Sequence, residues 1–140
     1  MTRHVVMFSG GIGSWATAKR VASLHGTQDM VLLFADTLIE DEDLYRFIDE
    51  AASNIGVPLT RIADGRTPWA VMRDERIIGN SRIDPCSRIL KRKLLEKWRD
   101  ENCAVDDAVI YIGIDWSEVH RLHTVRSRTQ PTVSGHRRFA

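Results

Sequence analysis

The chain has 140 residues, of which 43% are apolar and 28% charged, and its formal net charge at pH 7 is +1. This length allows one domain with one sizeable core, and the composition excludes the disordered and membrane classes. No apolar run approaches the length that crosses a bilayer, so we predict no membrane span.

The amino-terminal half of the chain alternates strand and helix patterns. Continuous apolar runs at His4–Phe8 and Met30–Ala35 predict two strands buried inside a parallel sheet. A helix is predicted between them, ending at Gly26. Its apolar residues are Trp15, Ala18, Val21, Ala22 and Leu24. A second helix is predicted to begin near Asp41 and to end at Gly56, because its apolar residues form one stripe at helical spacing.

The remaining predicted elements continue this alternation. They are a strand at Leu59–Ile62, a short helix near Pro68–Arg73, a helix at Ser87–Asn102 and a strand at Ala108–Ile112. Parallel strands joined by helices form right-handed crossovers. We therefore predict an α/β fold, an open three-layer sandwich with a mostly parallel Rossmann-like sheet and helices on both faces. Ligands of such folds bind beyond the carboxyl ends of the strands, where the strand order reverses.

A glycine-rich loop follows the first strand and precedes the first helix. It comprises Ser9, Gly10, Gly11, Ile12, Gly13 and Ser14, with the sequence SGGIGS. Such a loop turns tightly and directs backbone N–H groups at an anion, and we expect a positive φ at Gly11. It lacks the lysine of a Walker loop and the spacing of a dinucleotide fingerprint. By itself it fits a phosphate site and an ordinary tight turn equally well.

Four segments together resemble one known family. SGGIGS resembles the PP-loop motif SGGxDS, and it is followed by FADTLIEDEDLYRFI, PCSRILKRKLLEKW and YIGIDWSEVHR. In this order they resemble the adenine nucleotide alpha hydrolase superfamily, and within it the phosphoadenylyl-sulfate (PAPS) reductase-like branch. The resemblance covers nearly the whole chain. It implies a sheet of the HUP type and an adenine nucleotide whose phosphates lie on the PP-loop.

The chain departs from the family pattern at two places. Gly13 stands where the family has an aspartate, so a carboxylate that would position metal or phosphate is missing or supplied elsewhere, unless residue 13 needs glycine for a positive φ. The catalytic ECGLH-like segment of the true reductases is also absent from the 140 residues. We therefore do not expect sulfonucleotide reduction, and the chain is either a compact variant or a fragment.

The resemblance assigns further residues to the nucleotide site. Asp36 and Thr37 directly follow the second strand and are expected near the nucleoside, and Gly113 follows the fourth strand. An alternative is open for Asp36, because the five acidic residues in Asp36–Asp43 suit the amino terminus of the next helix. No protein-held metal is predicted, although Mg²⁺ is expected to accompany the nucleotide.

Three basic residues are the candidates for catalysis. Arg88 and Lys91 are three positions apart on one helix and are expected to hold a phosphate or sulfate jointly. Arg121 follows Glu118 by one helical turn, so phosphate contact by Arg121 competes with a simple ion pair between the two. Cys86 precedes Arg88 and is either a thiol activated by the helix terminus or a small buried apolar group.

These features predict two alternative functions, and nucleic-acid binding is a third. The first is an enzyme that binds ATP with Mg²⁺, adenylates an acceptor and releases pyrophosphate; the second is a non-catalytic module that binds ATP or a PAPS-type sulfonucleotide. Residues 1–128 would form the nucleotide-binding domain, and residues 129–140 a basic tail that would suit nucleic-acid binding. The start of the chain lacks signal-peptide features, and two cysteines without a CxxC pair fit a reducing compartment, so we expect a cytoplasmic protein.

Overall fold

The structure is a computed structural model that describes residues 2–80, 85–103, 107–114, 116–120 and 138–139. Its strands are β1 (Arg3–Met7), β2 (Met30–Asp36), β3 (Leu59–Ala63), β4 (Ala108–Ile112) and β5 (Arg138–Phe139). Its α-helices are α1 (Ile12–His25), α2 (Glu42–Ile55), α3 (Pro68–Glu75), α4 (Pro85–Ser87) and α5 (Leu94–Asn102). A π-helical segment, Arg88–Lys93, joins α4 to α5, and a 3₁₀ turn spans Trp116–Glu118.

All strand pairs of the sheet are parallel, and the strand order is β3-β2-β1-β4-β5. The predicted α/β fold with a parallel sheet is thereby confirmed. The chain runs outward from β1 through β2 to β3 and then returns to place β4 on the other side of β1. This reversal puts a crevice beyond the carboxyl end of β1, which is where ligands of open α/β sheets bind.

Successive residues of β1 contribute to two separate apolar clusters, because neighbouring side chains of a strand point to opposite faces. Val6 is fully buried in a cluster that includes Ala18 of α1 and Ile48 of α2. Val5 is fully buried in another, against which Leu95 and Trp98 of α5 pack. The continuous apolar runs of β1 and β2 thus reflect burial on both sides of each strand.

The predicted ends of α1 and α2 agree with the structure. The Asp41 carboxylate caps α2 by accepting a hydrogen bond from the Asp43 N–H at 2.8 Å. Gly56 ends the helix in the left-handed conformation, with φ at 85°. Gly26 ends α1 with a φ of 74°. None of the helices in the described ranges is long and apolar enough to cross a membrane.

Some predicted details differ from the structure. Leu24 was among the apolar residues that predict α1, but 66% of it is exposed. The single helix predicted at Ser87–Asn102 begins at Pro85 and passes through the π-helical segment. In the predicted basic tail, the structure describes only Arg138 and Phe139, which pair with β4 as β5; the sequence pattern did not predict this strand.

Candidate functional site

The loop between β1 and α1 makes its tight turn at Gly10. The φ of Gly10 is +86°, and an added Cβ would lie 3.0 Å from Cγ of Leu44 on α2. Gly11 has a φ of −85° and serves as the N-cap of α1. The expectation of a positive φ at Gly11 is therefore wrong, since the backbone reverses one residue earlier than the motif suggested.

The first turn of α1 presents backbone amides to the crevice. The first helical hydrogen bond runs from the Trp15 N–H to the Gly11 carbonyl at 3.3 Å, so the amides of Ile12, Gly13 and Ser14 precede the helical ladder. No side chain in the described part of the chain caps this helix, and its first turn carries no acidic residue. Ser14 is buried, and its hydroxyl donates to the Gly11 carbonyl at 2.7 Å. This arrangement favours an anion.

Gly113, directly after β4, closes onto this turn. A Cβ at Gly113 would lie 2.8 Å from the carbonyl carbon and oxygen of Gly13 and 3.0 Å from the Ser14 nitrogen. Only glycine allows this approach of two backbones. Together the two loops line a cavity of about 380 Å³, whose lining residues are Ser9, Gly11, Ile12, Gly13, Ser14, Ala16, Thr17, Gly113 and Ile114.

Gly13 itself lies within α1 and does not have a positive φ. A Cβ there would meet no other atom within 4 Å in the part of the chain that the structure describes. The alternative that glycine is present for backbone conformation is therefore wrong. A side chain at position 13 would extend into open space beside the cavity.

Asp36 and Thr37 lie at the carboxyl end of β2 and are 5% and 7% exposed. The Asp36 carboxylate accepts hydrogen bonds from the Leu38 N–H at 2.8 Å and from the Tyr45 hydroxyl at 2.6 Å, both at Oδ1. Burial, and then this bond to Asp36, raises the pKa of the Tyr45 hydroxyl. Leu38 has a φ of 69°, a left-handed conformation that is uncommon for leucine. Asp36 thus holds the loop after β2 in shape.

The structure gives Arg88 and Lys91 different partners. Lys91 Nζ lies 3.7 Å from Glu40 Oε1, and the same oxygen accepts a hydrogen bond from the Thr37 hydroxyl at 2.9 Å. Arg88 lies 3.9 Å from the carboxylate of Glu75 on α3. Lys91 therefore faces the loop after β2, whereas Arg88 faces α3.

Lys91 also borders the glycine-rich loop. It lines a small cavity of about 60 Å³ with Phe8 and Ser9 at the end of β1 and with Phe34 and Ala35 of β2. A flexible ammonium at this place can reach toward an anion at the carboxyl ends of both strands. Of the two predicted cations, Lys91 is the one that the described structure places beside the loop.

The other residues predicted to be functional either do not line these two cavities or lie outside the residues that the structure describes. Arg121 and the Glu118 side chain lie outside the described residues. Cys86 is half-buried, and its thiol lies 3.7 Å from the Pro68 carbonyl. Trp69 and Trp116 are 70% and 89% exposed.

Sequence reasoning missed Glu40 and Tyr45. Both lie in the segment FADTLIEDEDLY, where the acidic residues were interpreted as a group that suits a helix terminus. Glu40 could have been identified from the buried strand that precedes it, because a carboxylate so close to the carboxyl end of a parallel strand reaches the crevice. Tyr45 is the fourth residue of α2, and its hydroxyl reaches back to Asp36 of β2.

The described residues include no group of three or more His, Cys, Asp or Glu side chains that could hold a metal ion. The cavity between Gly13 and Gly113 is lined by backbone, hydroxyl and apolar groups and by no carboxylate among the described residues. No family model matches the chain, and no curated protein matches it either. The geometry around the glycine-rich loop is therefore the basis for inferring a function.

Proposed function

We propose that the protein binds an adenine nucleotide, with its phosphate groups at the loop between β1 and α1. The observation that carries this proposal is the close approach of Gly113 to Gly13, which encloses a cavity of about 380 Å³ beside the amides of the first turn of α1. The cavity lies where the strand order reverses, as expected for a phosphate site. The resemblance of SGGIGS to the PP-loop supports the same assignment.

The finer fold assignment belongs to this proposal. We propose an open three-layer sandwich of the HUP type with helices on both faces of the sheet. Two buried clusters support it, since α1 and α2 contribute to one and residues of α5 pack against the other. A right-handed crossover between parallel strands leads to the same arrangement.

The reaction that we propose is transfer at the α-phosphate of ATP. An acceptor oxygen or nitrogen forms a bond to the α-phosphorus, the bond from that phosphorus to the bridging oxygen breaks, and pyrophosphate leaves with the bonding electron pair. The amides of Ile12, Gly13 and Ser14 would oppose the charge on the departing phosphates, and Lys91 would add a full positive charge. Arg88 and Arg121 are further candidates for this role because of the family resemblance alone.

Magnesium is the expected companion of ATP, but the described residues do not form a protein-held site for it. The cavity offers serine and threonine hydroxyls, of which Ser14 and Thr17 already donate to carbonyls of the first turn of α1. Mg²⁺ prefers carboxylate and phosphate oxygens and retains several waters. The ion would therefore enter with the phosphates of the nucleotide, and no step is assigned to it.

A second candidate function is a binding module without turnover, for ATP or a PAPS-type sulfonucleotide. Gly13 favours it, because the position that holds a carboxylate in the family motif offers none here. The uncharged lining of the cavity among the described residues points the same way. Binding at this site needs only the amides and a nearby cation, whereas turnover needs groups that act on the α-phosphate.

One experiment separates the two candidates. The protein is incubated with Mg²⁺ and ATP, or in parallel with PAPS, and the products are identified by mass spectrometry while binding is measured by calorimetry. AMP or an adenylated acceptor together with pyrophosphate supports the enzyme. Saturable binding without products supports the module. Failure of both nucleotides to bind contradicts the proposed function.

A further inference from the structure

We infer that Glu40 is an internal competitor of the anionic ligand: its carboxylate occupies Lys91 and Thr37 until a phosphate displaces it. This inference rests on the proposed function, since it concerns how the phosphate site is regulated by the chain itself. Glu40 Oε1 lies 3.7 Å from Lys91 Nζ and accepts the Thr37 hydroxyl hydrogen bond at 2.9 Å. The carboxylate thus takes the place that an oxygen of a phosphate would take.

The loop that carries Glu40 is fixed by the fold. Asp36 accepts hydrogen bonds from the Leu38 N–H and the Tyr45 hydroxyl, one in the loop and one on α2. Leu38 itself has a φ of 69°, a conformation that persists only where its surroundings hold it. These contacts therefore hold the loop that presents Glu40 to Lys91.

The charges explain why displacement is feasible. The Glu40 side chain is 23% exposed and that of Lys91 45% exposed, so solvent weakens their attraction. A di- or triphosphate carries more charge than one carboxylate and can engage the amides of α1 as well as Lys91. Lys91 can turn from Glu40 toward a phosphate, because it lines the small cavity beside Ser9 as well as facing Glu40. The contact with Glu40 therefore lowers the affinity for an anionic ligand, and a ligand of higher charge overcomes it more readily.

The decisive variant is Glu40→Gln, which removes the competing charge and keeps an oxygen that can accept from Thr37. We expect it to bind inorganic pyrophosphate and ATP about two- to fivefold more tightly than the wild-type chain, the effect of one partly exposed ion pair. Glu42→Gln is the matched control, since it removes the same charge from an exposed residue two positions along. Its affinity should stay close to that of the wild type.

The effect of Glu40→Gln with and without Lys91 distinguishes competition for this cation from a general effect of the net charge on affinity. In a Lys91→Met background, Glu40→Gln should no longer raise the affinity, because the cation for which Glu40 competes is gone. Isothermal calorimetry with pyrophosphate and ATP measures all four combinations, and melting curves report folding. If Glu40→Gln fails to fold, Glu40→Asp replaces it; its shorter side chain withdraws the charge from Lys91 and should also tighten binding.

The outcomes are distinct. Tighter binding that depends on Lys91 supports the inference. Binding of ATP by the wild type with no gain in Glu40→Gln, or an equal gain in Glu42→Gln, overturns the inference and leaves the proposed function standing. No binding of pyrophosphate or ATP by either the wild type or Glu40→Gln overturns both.

Discussion

Gly113 and Gly13 meet backbone to backbone: a Cβ on Gly113 would lie 2.8 Å from both the carbonyl carbon and the carbonyl oxygen of Gly13. The contact joins the end of β4 to the first turn of α1. It is asymmetric, because a Cβ on Gly13 would meet no described atom within 4 Å. The two glycines of one contact therefore tolerate substitution very differently.

Gly113→Ala is expected to lower the free energy of unfolding by about 1–3 kcal/mol, since the clash is with backbone that cannot rotate away. It should also weaken nucleotide binding, because the loop after β4 must withdraw from the cavity. Chemical denaturation and calorimetry measure the two effects. The control is Gly13→Ala, which should stabilise the helix by about 0.5–1 kcal/mol. Equal stability of the two variants would contradict the close contact between the two loops.

Gly10 and Gly11 form a second matched pair. Gly10→Ala should cost about 1–2 kcal/mol, because its φ is +86° and its Cβ would press on Leu44. Gly11→Val should fold normally, since Gly11 has a φ of −85° and, among the described residues, only Ser9 Oγ, at 3.8 Å, lies near its Cβ position. Its larger side chain should nevertheless block the cavity to phosphate. A folded Gly11→Val protein with wild-type ATP affinity would place the phosphate elsewhere.

Gly13→Asp restores the carboxylate of the motif at a position that has room for it. Because residue 13 lies in the first turn of α1, the negative charge should leave stability unchanged or raise it by about 0.3–1 kcal/mol. If that carboxylate is the group that turnover lacks, pyrophosphate release with Mg²⁺ should rise. Gly13→Asn keeps the shape without the charge and serves as the control. Equal pyrophosphate release by both variants and the wild type would show that this carboxylate does not limit turnover.

Lys91→Ala should weaken binding of ATP more than that of adenosine, by about 1–3 kcal/mol, if its contact with phosphate is charge-assisted. Arg88→Ala should have a smaller effect, because Arg88 faces Glu75 on α3. Calorimetric titration of both ligands into both variants compares the losses. Equal loss for adenosine and ATP in Lys91→Ala would indicate damaged folding, and a larger loss in Arg88→Ala would reverse the assignment of the two cations.

The stability of the chain should fall as the pH drops below about 6.5. His4 Nδ1 lies 2.8 Å from the Tyr111 hydroxyl, and the His4 ring stacks on that of His25 at 4.2 Å. Burial, and then repulsion by His25, lowers the pKa of His4 from its ordinary value of 6.5, while Asp29 opposes this effect. The unfolded chain therefore binds the proton more readily than the folded one, so this stability is present above pH 6.5 and lost as the pH falls through the lowered pKa.

Melting temperatures between about pH 8 and about pH 5 test this prediction. His4→Gln should show a weaker fall than the wild type, since it removes the group that titrates. His25→Gln should reduce the fall without abolishing it, because burial of His4 remains. An identical pH profile in the wild type and His4→Gln would exclude His4 as the source.

The sequence predicted β1, β2 and β4 well, because these strands contain continuous apolar runs, whereas β5 was not predicted. The prediction for β4 at Ala108–Ile112 matches the structure, and Asp41 and Gly56 bound α2 as expected. Local chemistry decides such features: an acid that caps a helix and a glycine that ends it need no distant partner.

The candidate site was less predictable, because its contacts join distant parts of the chain. The loop SGGIGS was found from its glycines, but the pattern did not show that Gly10 has the positive φ or that Leu44 of α2 lies beside it. Arg88 faces Glu75 of α3 and Lys91 faces Glu40 of the loop after β2, and the spacing of the two cations along the chain does not show either partner. Glu40 gained its place only through the loop that Asp36 holds.

The position of β4 beside β1 has a kinetic consequence. His4 of β1 and Tyr111 of β4 are hydrogen-bonded although 107 positions separate them, whereas β1, β2 and β3 follow one another closely along the chain. Closing so long a loop is entropically costly and slow compared with forming the local units. The cavity between α1 and Gly113 should therefore appear in one of the last steps of folding, and a nucleotide that binds there should slow unfolding by resisting the departure of β4.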